Sequence, residues 1–70
     1  MTALTNEEKV VIVNQHLKNL NYSKFNIEIS LIEENAKSIK DTDQIASLNA
    51  QSTDIDSRIT ALETKIEELS

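Results

Sequence analysis

Seventy residues with seven basic and twelve acidic side chains carry a formal charge of -5, and glycine, proline and cysteine are all absent. One small domain is the most such a chain can form, and without cysteine neither disulfides nor thiolate metal sites supplement its modest core. An acidic majority with scattered bases excludes the basic stripe that a nucleic-acid backbone or an anionic membrane surface requires.

The missing glycine also weighs against β-structure, because tight hairpin turns of the primed types depend on Gly or Asn-Gly. With one Tyr, one Phe and one Met, a sandwich or barrel core is not expected. Ile, Leu, Glu, Lys, Ala and Gln supply much of the rest, as in long helices.

Residues Met1 to Leu4 read as a frayed start. Thr5-Asn6-Glu7-Glu8 is a capping box, in which the Thr5 hydroxyl accepts from the Glu8 amide and the Glu8 carboxylate reaches back. Both glutamates fall in the first turn, where the helix dipole favours negative charge. Val10, Val13, Leu17 and Leu20 then recur at spacings of three and four, which is one face of a helix. Asn19, Asn21 and Ser23 are weak helix formers, so 19–23 is where a kink or a short break could interrupt the helix.

Beyond it, Tyr22, Phe25, Ile29, Ile32, Ala36 and Ile39 form a second stripe, with Tyr22 and Phe25 expected to plug a bundle core, the alternative being that they anchor a partner. Ile27 and Leu31 lie nearly opposite that stripe and extend the Val13, Leu17 and Leu20 face if the helix is continuous. These five residues form the candidate partner or bundle face, since a helix apolar on two sides is normally sandwiched between neighbours. Alternation of Phe25, Ile27, Ile29 and Leu31 with polar residues also fits a strand. Ile32 breaks that alternation, and no second alternating segment exists to pair with it.

Lys40-Asp41-Thr42-Asp43 is the expected turn. Asp41 and Gln44 have capping-box spacing, and Lys37 and Lys40 suit a helix C-terminus. From there the pattern is a heptad repeat, with Ile45, Ser52, Ile59 and Ile66 at one position and Leu48, Ile55, Leu62 and Leu69 at the other. The reading is therefore all-α: a helical hairpin with a first arm over 5–39 and a heptad-repeat arm over 43–69, assembling into a coiled coil or helix bundle.

Those eight heptad residues are the expected oligomer interface of a homodimer or homotrimer. If Ile45 is an a position, Arg58 and Lys65 stand at g while Asp56 and Glu63 stand at e, so a homomeric coil would run parallel with Arg58 meeting Glu63 of a second copy. A hairpin whose second arm packs on its own first arm would use the same seam internally, and the sequence leaves both arrangements open.

No constellation of residues points to catalysis. His16 has Ile12, Val13, Asn19 and Leu20 at helical spacing, with no residue placed for a proton relay. Asp41-x-Asp43 and Asp54-x-Asp56 lack the glycine and ligand ladder of a calcium loop and read as caps and solvated charge. The adjacent pairs Glu7-Glu8, Glu33-Glu34 and Glu67-Glu68 diverge by about 100° around a helix and make no acid–base dyad. No metal, cofactor or small-molecule substrate is expected. The run Val10 to Val13 is too short for a secretory or membrane-spanning segment, so the expected location is a host-cell cytoplasm or a virion.

The segments Asn26-Ile27-Glu28-Ile29-Ser30-Leu31-Ile32-Glu33-Glu34-Asn35-Ala36 and Ser47-Leu48-Asn49-Ala50-Gln51 resemble small uncharacterised proteins of tailed phages that infect marine cyanobacteria. The resemblance runs over most of the chain and implies a phage structural or accessory protein. It transfers no site residues. Such relatives are expected to carry a proline- or alanine-rich hinge, where this chain has Lys40-Asp41-Thr42-Asp43. The functional expectation is a non-enzymatic structural or assembly protein that acts by self-association. The alternative is a small acidic regulatory protein that binds and sequesters a host or phage protein.

Overall fold

The computed structural model describes residues 3–70, so Met1 and Thr2 of the expected frayed start lie outside the described residues. Two helices make up the described chain: α1 over Asn6–Asn35 and α2 over Thr42–Leu69, packed against each other as a hairpin. The molecule is a rod of 58 × 19 × 15 Å.

The start of α1 is fixed as the sequence predicts. The Glu8 amide donates to the Thr5 hydroxyl at 3.1 Å, and the Thr5 amide donates to the Glu8 carboxylate at 3.0 Å. The reciprocal pair satisfies two backbone donors and leaves Glu7 and Glu8 in the first turn. These hydrogen bonds hold the Glu8 carboxyl below its ordinary range.

No turn or break falls at 19–23, for α1 runs unbroken through that segment. Its weak helix formers are absorbed locally: the Asn21 side-chain amide donates to the Leu17 carbonyl at 3.0 Å, one turn back along the same helix. Asparagine here decorates the helix where it was expected to compete with it.

The first arm ends earlier than expected. Helical geometry stops at Asn35, and Ala36 and Ile39, expected in the stripe, belong to the turn over residues 36–41. Glu34 explains the early stop. Its carboxylate accepts from the Asp41 amide at 3.1 Å and pairs with the Lys37 ammonium at 2.7 Å, tying the end of α1 to the start of α2. Asp41 in turn accepts from the Gln44 amide at 3.1 Å and caps α2. The second capping box is thus only half made, because the Asp41 amide that Gln44 would have taken is occupied by Glu34. No described residue has positive φ, so the turn closes without glycine.

One seam holds the arms together. In α1 it comprises Val10, Val13, Leu17, Leu20, Ile27 and Leu31, all half-buried, ending at the buried Glu34. In α2 it comprises Ile45, Leu48, Ser52, Ile55, Ile59, Leu62, Ile66 and Leu69, each buried or half-buried. Every other described residue is exposed. Spacings of three and four keep both stripes facing each other along the rod. The antiparallel register is fixed by contacts along its length. Val10 shares a groove with Leu69, Leu20 shares one with Leu62, Lys24 meets Asp56, and Glu34 shares one with Leu48.

Lys24 occupies a seam position, seven residues after Leu17 and seven before Leu31. Its ammonium reaches Asp56 at 2.6 Å, and both side chains remain about half exposed (45% and 52%). The aspartate hydrogen bond and charge raise the Lys24 pKa. Lysine suits such a place, because its aliphatic stem covers apolar surface while the charge stays in water.

Candidate interaction surface

The two sets of residues singled out in the sequence end in one place. The heptad residues of α2 and the Val13, Leu17, Leu20, Ile27 and Leu31 face of α1 pack on each other inside the hairpin. A single chain therefore packs the two sets against each other. Three of the four charges that the parallel arrangement assigned to a second copy have partners within the chain. Arg58 binds Asp54 at 2.9 Å, Lys65 approaches Glu68 at 3.4 Å, and Asp56 takes Lys24.

What the hairpin leaves uncovered is the other stripe of α1. Tyr22 is 62% exposed, Phe25 58% and Ile32 60%, so within one chain the aromatics lie outside the hairpin seam. Ile29 is also exposed, as are Val11 and Ile12, about three turns before Tyr22, and Ile39 in the turn. Apart from Leu4 before α1, every exposed large hydrophobic among the described residues belongs to α1 or the turn, and none to α2. The apolar surface is one-sided.

Tyr22, Phe25, Ile29 and Ile32 follow one another at steps of three, four and three, so they line one strip of the helix. Lys18 prolongs it toward the N-terminus, with its ammonium 6.0 Å from the Tyr22 ring centre, within the range of a cation–π contact. Asn14, Asn19, Asn21, Asn26 and Asn35, together with Glu28 and Glu33, border the strip by helical position. Asn35 donates to the Leu31 carbonyl at 2.8 Å, as Asn21 does to Leu17, which leaves each amide oxygen facing solvent.

The candidates for chemistry are dispersed. His16 lies in an open groove between the helices with Asn19, Leu20, Ser23, Arg58, Ala61 and Leu62, and no hydrogen bond joins His16 to Ser23 or to any carboxylate. Asp54 and Asp56 serve different partners, Arg58 and Lys24. Glu33 and Glu34 divide similarly, since Glu33 is exposed while Glu34 is buried against the turn. The Lys37 ammonium and the Asp41 amide hold the Glu34 carboxyl below its ordinary range. Among the described residues no three His, Cys, Asp or Glu side chains gather as metal ligands. No helix of the described chain is long and apolar enough to cross a membrane.

The chain matches no protein-family model, no curated protein and no solved structure. The surface itself is the sole guide to function.

The sequence displayed both stripes of α1 but not which one α2 would cover. A signal was available in their lengths. The inner stripe keeps heptad phase from Val10 to Glu34, interrupted only by Lys24, and so matches the eight-position seam of α2. The outer stripe is continuous only from Tyr22 to Ile32.

Proposed function

We propose that this protein is a non-enzymatic structural or assembly component that acts by self-association, with the outer stripe of α1 as its working surface. The observation that carries the reading is the confinement of exposed large hydrophobics to one helix of a hairpin whose own seam is already closed. A helix that is apolar on two sides needs two neighbours, and the chain supplies only α2. A second hairpin laid on the Tyr22, Phe25, Ile29 and Ile32 strip would complete a helix bundle of coiled-coil type. Placing this component in a phage rests on the resemblance of residues 26–36 and 47–51 alone.

Sedimentation velocity on the wild type and on Ile29→Glu tests the reading. The wild type should sediment as a concentration-dependent oligomer, and Ile29→Glu as a monomer of unchanged helicity, because Ile29 lies outside the intrachain seam. A wild type that stays monomeric, or an Ile29→Glu variant that associates equally well, contradicts it.

Glu28 and Glu33 beside the strip, in a chain of net charge -5, favour a second reading: a regulatory binder that captures a basic amphipathic helix. Tight, salt-sensitive binding of such a helix to a monomeric wild type would select it over self-association.

A further inference from the structure

We infer that two copies join through their α1 helices in an antiparallel, staggered arrangement centred near residue 27, an inference that rests on the self-association proposed above. Three observations lead to it: where the apolar strip sits, what borders it, and where its charges fall.

Tyr22, Phe25, Ile29 and Ile32 are centred near residue 27, whereas α1 spans Asn6–Asn35 and has its midpoint near residue 20. An antiparallel pair about residue 27 sets Phe25 against the partner's Ile29, and Tyr22 against the partner's Ile32. All four side chains of each copy then meet apolar partners. Blunt alignment about the helix midpoint would set Phe25 near the partner's His16 and Ile32 near the partner's Lys9. The apolar match therefore requires a stagger.

The border favours a second copy over a foreign chain. Asparagine carries both donor and acceptor, so an asparagine-bordered strip is self-complementary across a two-fold axis. About residue 27, Asn26 lies near its own counterpart and Asn21 lies near the partner's Asn35. Asn21 and Asn35 spend an amide proton within the helix and keep an oxygen for the other copy.

Charge selects the orientation. Parallel copies would oppose Lys18 to Lys18 within the strip and bring Glu28 near the partner's Glu33 on both sides. The antiparallel arrangement instead brings Lys18 and Asn19 to the partner's Glu33, twice by symmetry. Its like-charge contacts are Glu28 with its own counterpart and Lys18 near the partner's Lys37, whose charge Glu34 already pairs within its own chain. Exposed pairs of this kind are weak individually but they set register and direction.

The experiment is a distance measurement between spin labels on Lys9→Cys, at a concentration where sedimentation shows association. Lys9 is exposed and its side chain makes no ion pair, and the chain has no other cysteine. The staggered antiparallel pair places the two labels about 54 Å apart at 1.5 Å per residue along the shared axis. Blunt antiparallel alignment gives about 35 Å by the same rise, and a parallel pair about two helix diameters, near 20 Å. Either of the shorter distances overturns the arrangement while leaving self-association intact. The absence of any oligomer overturns both. Glu33→Lys supplies an independent check, since it should weaken association severalfold here by repelling Lys18, whereas in a parallel pair it would strengthen association by attracting Glu28.

Discussion

Ile55 and Ile32 are the same side chain on opposite sides of the structural argument, and truncating each to alanine separates seam from surface. Ile55 is 9% exposed and faces α1, while Ile32 is 60% exposed and faces away from α2. Ile55→Ala removes three carbons, at about 0.8 kcal/mol for each buried methylene. In a large core a cavity penalty would be added, but no described side chain here is fully buried, so the gap opens to water or closes. Alanine's better helix propensity returns a few tenths of a kcal/mol. The net cost is about 2 kcal/mol.

That loss is large against the roughly 0.05–0.15 kcal/mol per residue of total stability typical of a small domain. It corresponds to a fall in Tm of roughly 8–16 °C. Ile32→Ala, measured on dilute monomer, should stay within about 0.5 kcal/mol of wild type. Urea unfolding followed by circular dichroism, at concentrations where sedimentation shows monomer, gives both values. Equal costs for the two substitutions, or a negligible cost at Ile55, would refute the internal seam.

Two further outcomes follow from the same geometry. Ser52 is half-buried in the seam, so Ser52→Ile should add about 1 kcal/mol and raise Tm by roughly 4–8 °C in a thermal melt. A lower Tm would mean that the layer is already full. Stability should also decline in acid through Glu34, whose folded pKa is depressed by Lys37 and the Asp41 amide. The unfolded state then binds the proton more readily. The contribution is therefore complete above the usual glutamate value of about 4.3 and is lost as pH falls through the lower folded value. Glu34→Gln should reduce stability at neutral pH and flatten this acid limb in pH-dependent urea titrations. An unchanged acid limb would show that the turn does not depend on the charge.

Much of this molecule was legible in its sequence, and the misreadings have physical causes. The Thr5 and Glu8 box and the Ile45 to Leu69 repeat are local or strictly periodic features, and both appear where the spacing puts them. No break falls at 19–23 because Asn21 can bond the Leu17 carbonyl without leaving the helix, so a weak propensity was overridden by a continuous seam on the other side. The early end of α1 depended on Glu34 reaching Asp41 across the turn, a contact between residues seven apart that no periodicity reveals. Tyr22 and Phe25 were expected inside because bulky side chains usually are. They lie outside because only one stripe of α1 can face α2, and the longer stripe buries more apolar surface. Lys24 was hidden in that longer stripe. Its place, seven residues after Leu17 and seven before Leu31, is visible in the spacing, but its pairing with Asp56 needs the register of the folded hairpin.

The central claim is that the α2 seam closes within one chain and leaves the outer stripe of α1 for association. Circular dichroism across a dilution series that passes from oligomer to monomer tests it most directly. Helicity per residue should hold constant while the mass falls, because each hairpin carries its own seam. Helicity that collapses together with the mass would contradict the account, placing the seam of Ile45 to Leu69 between chains.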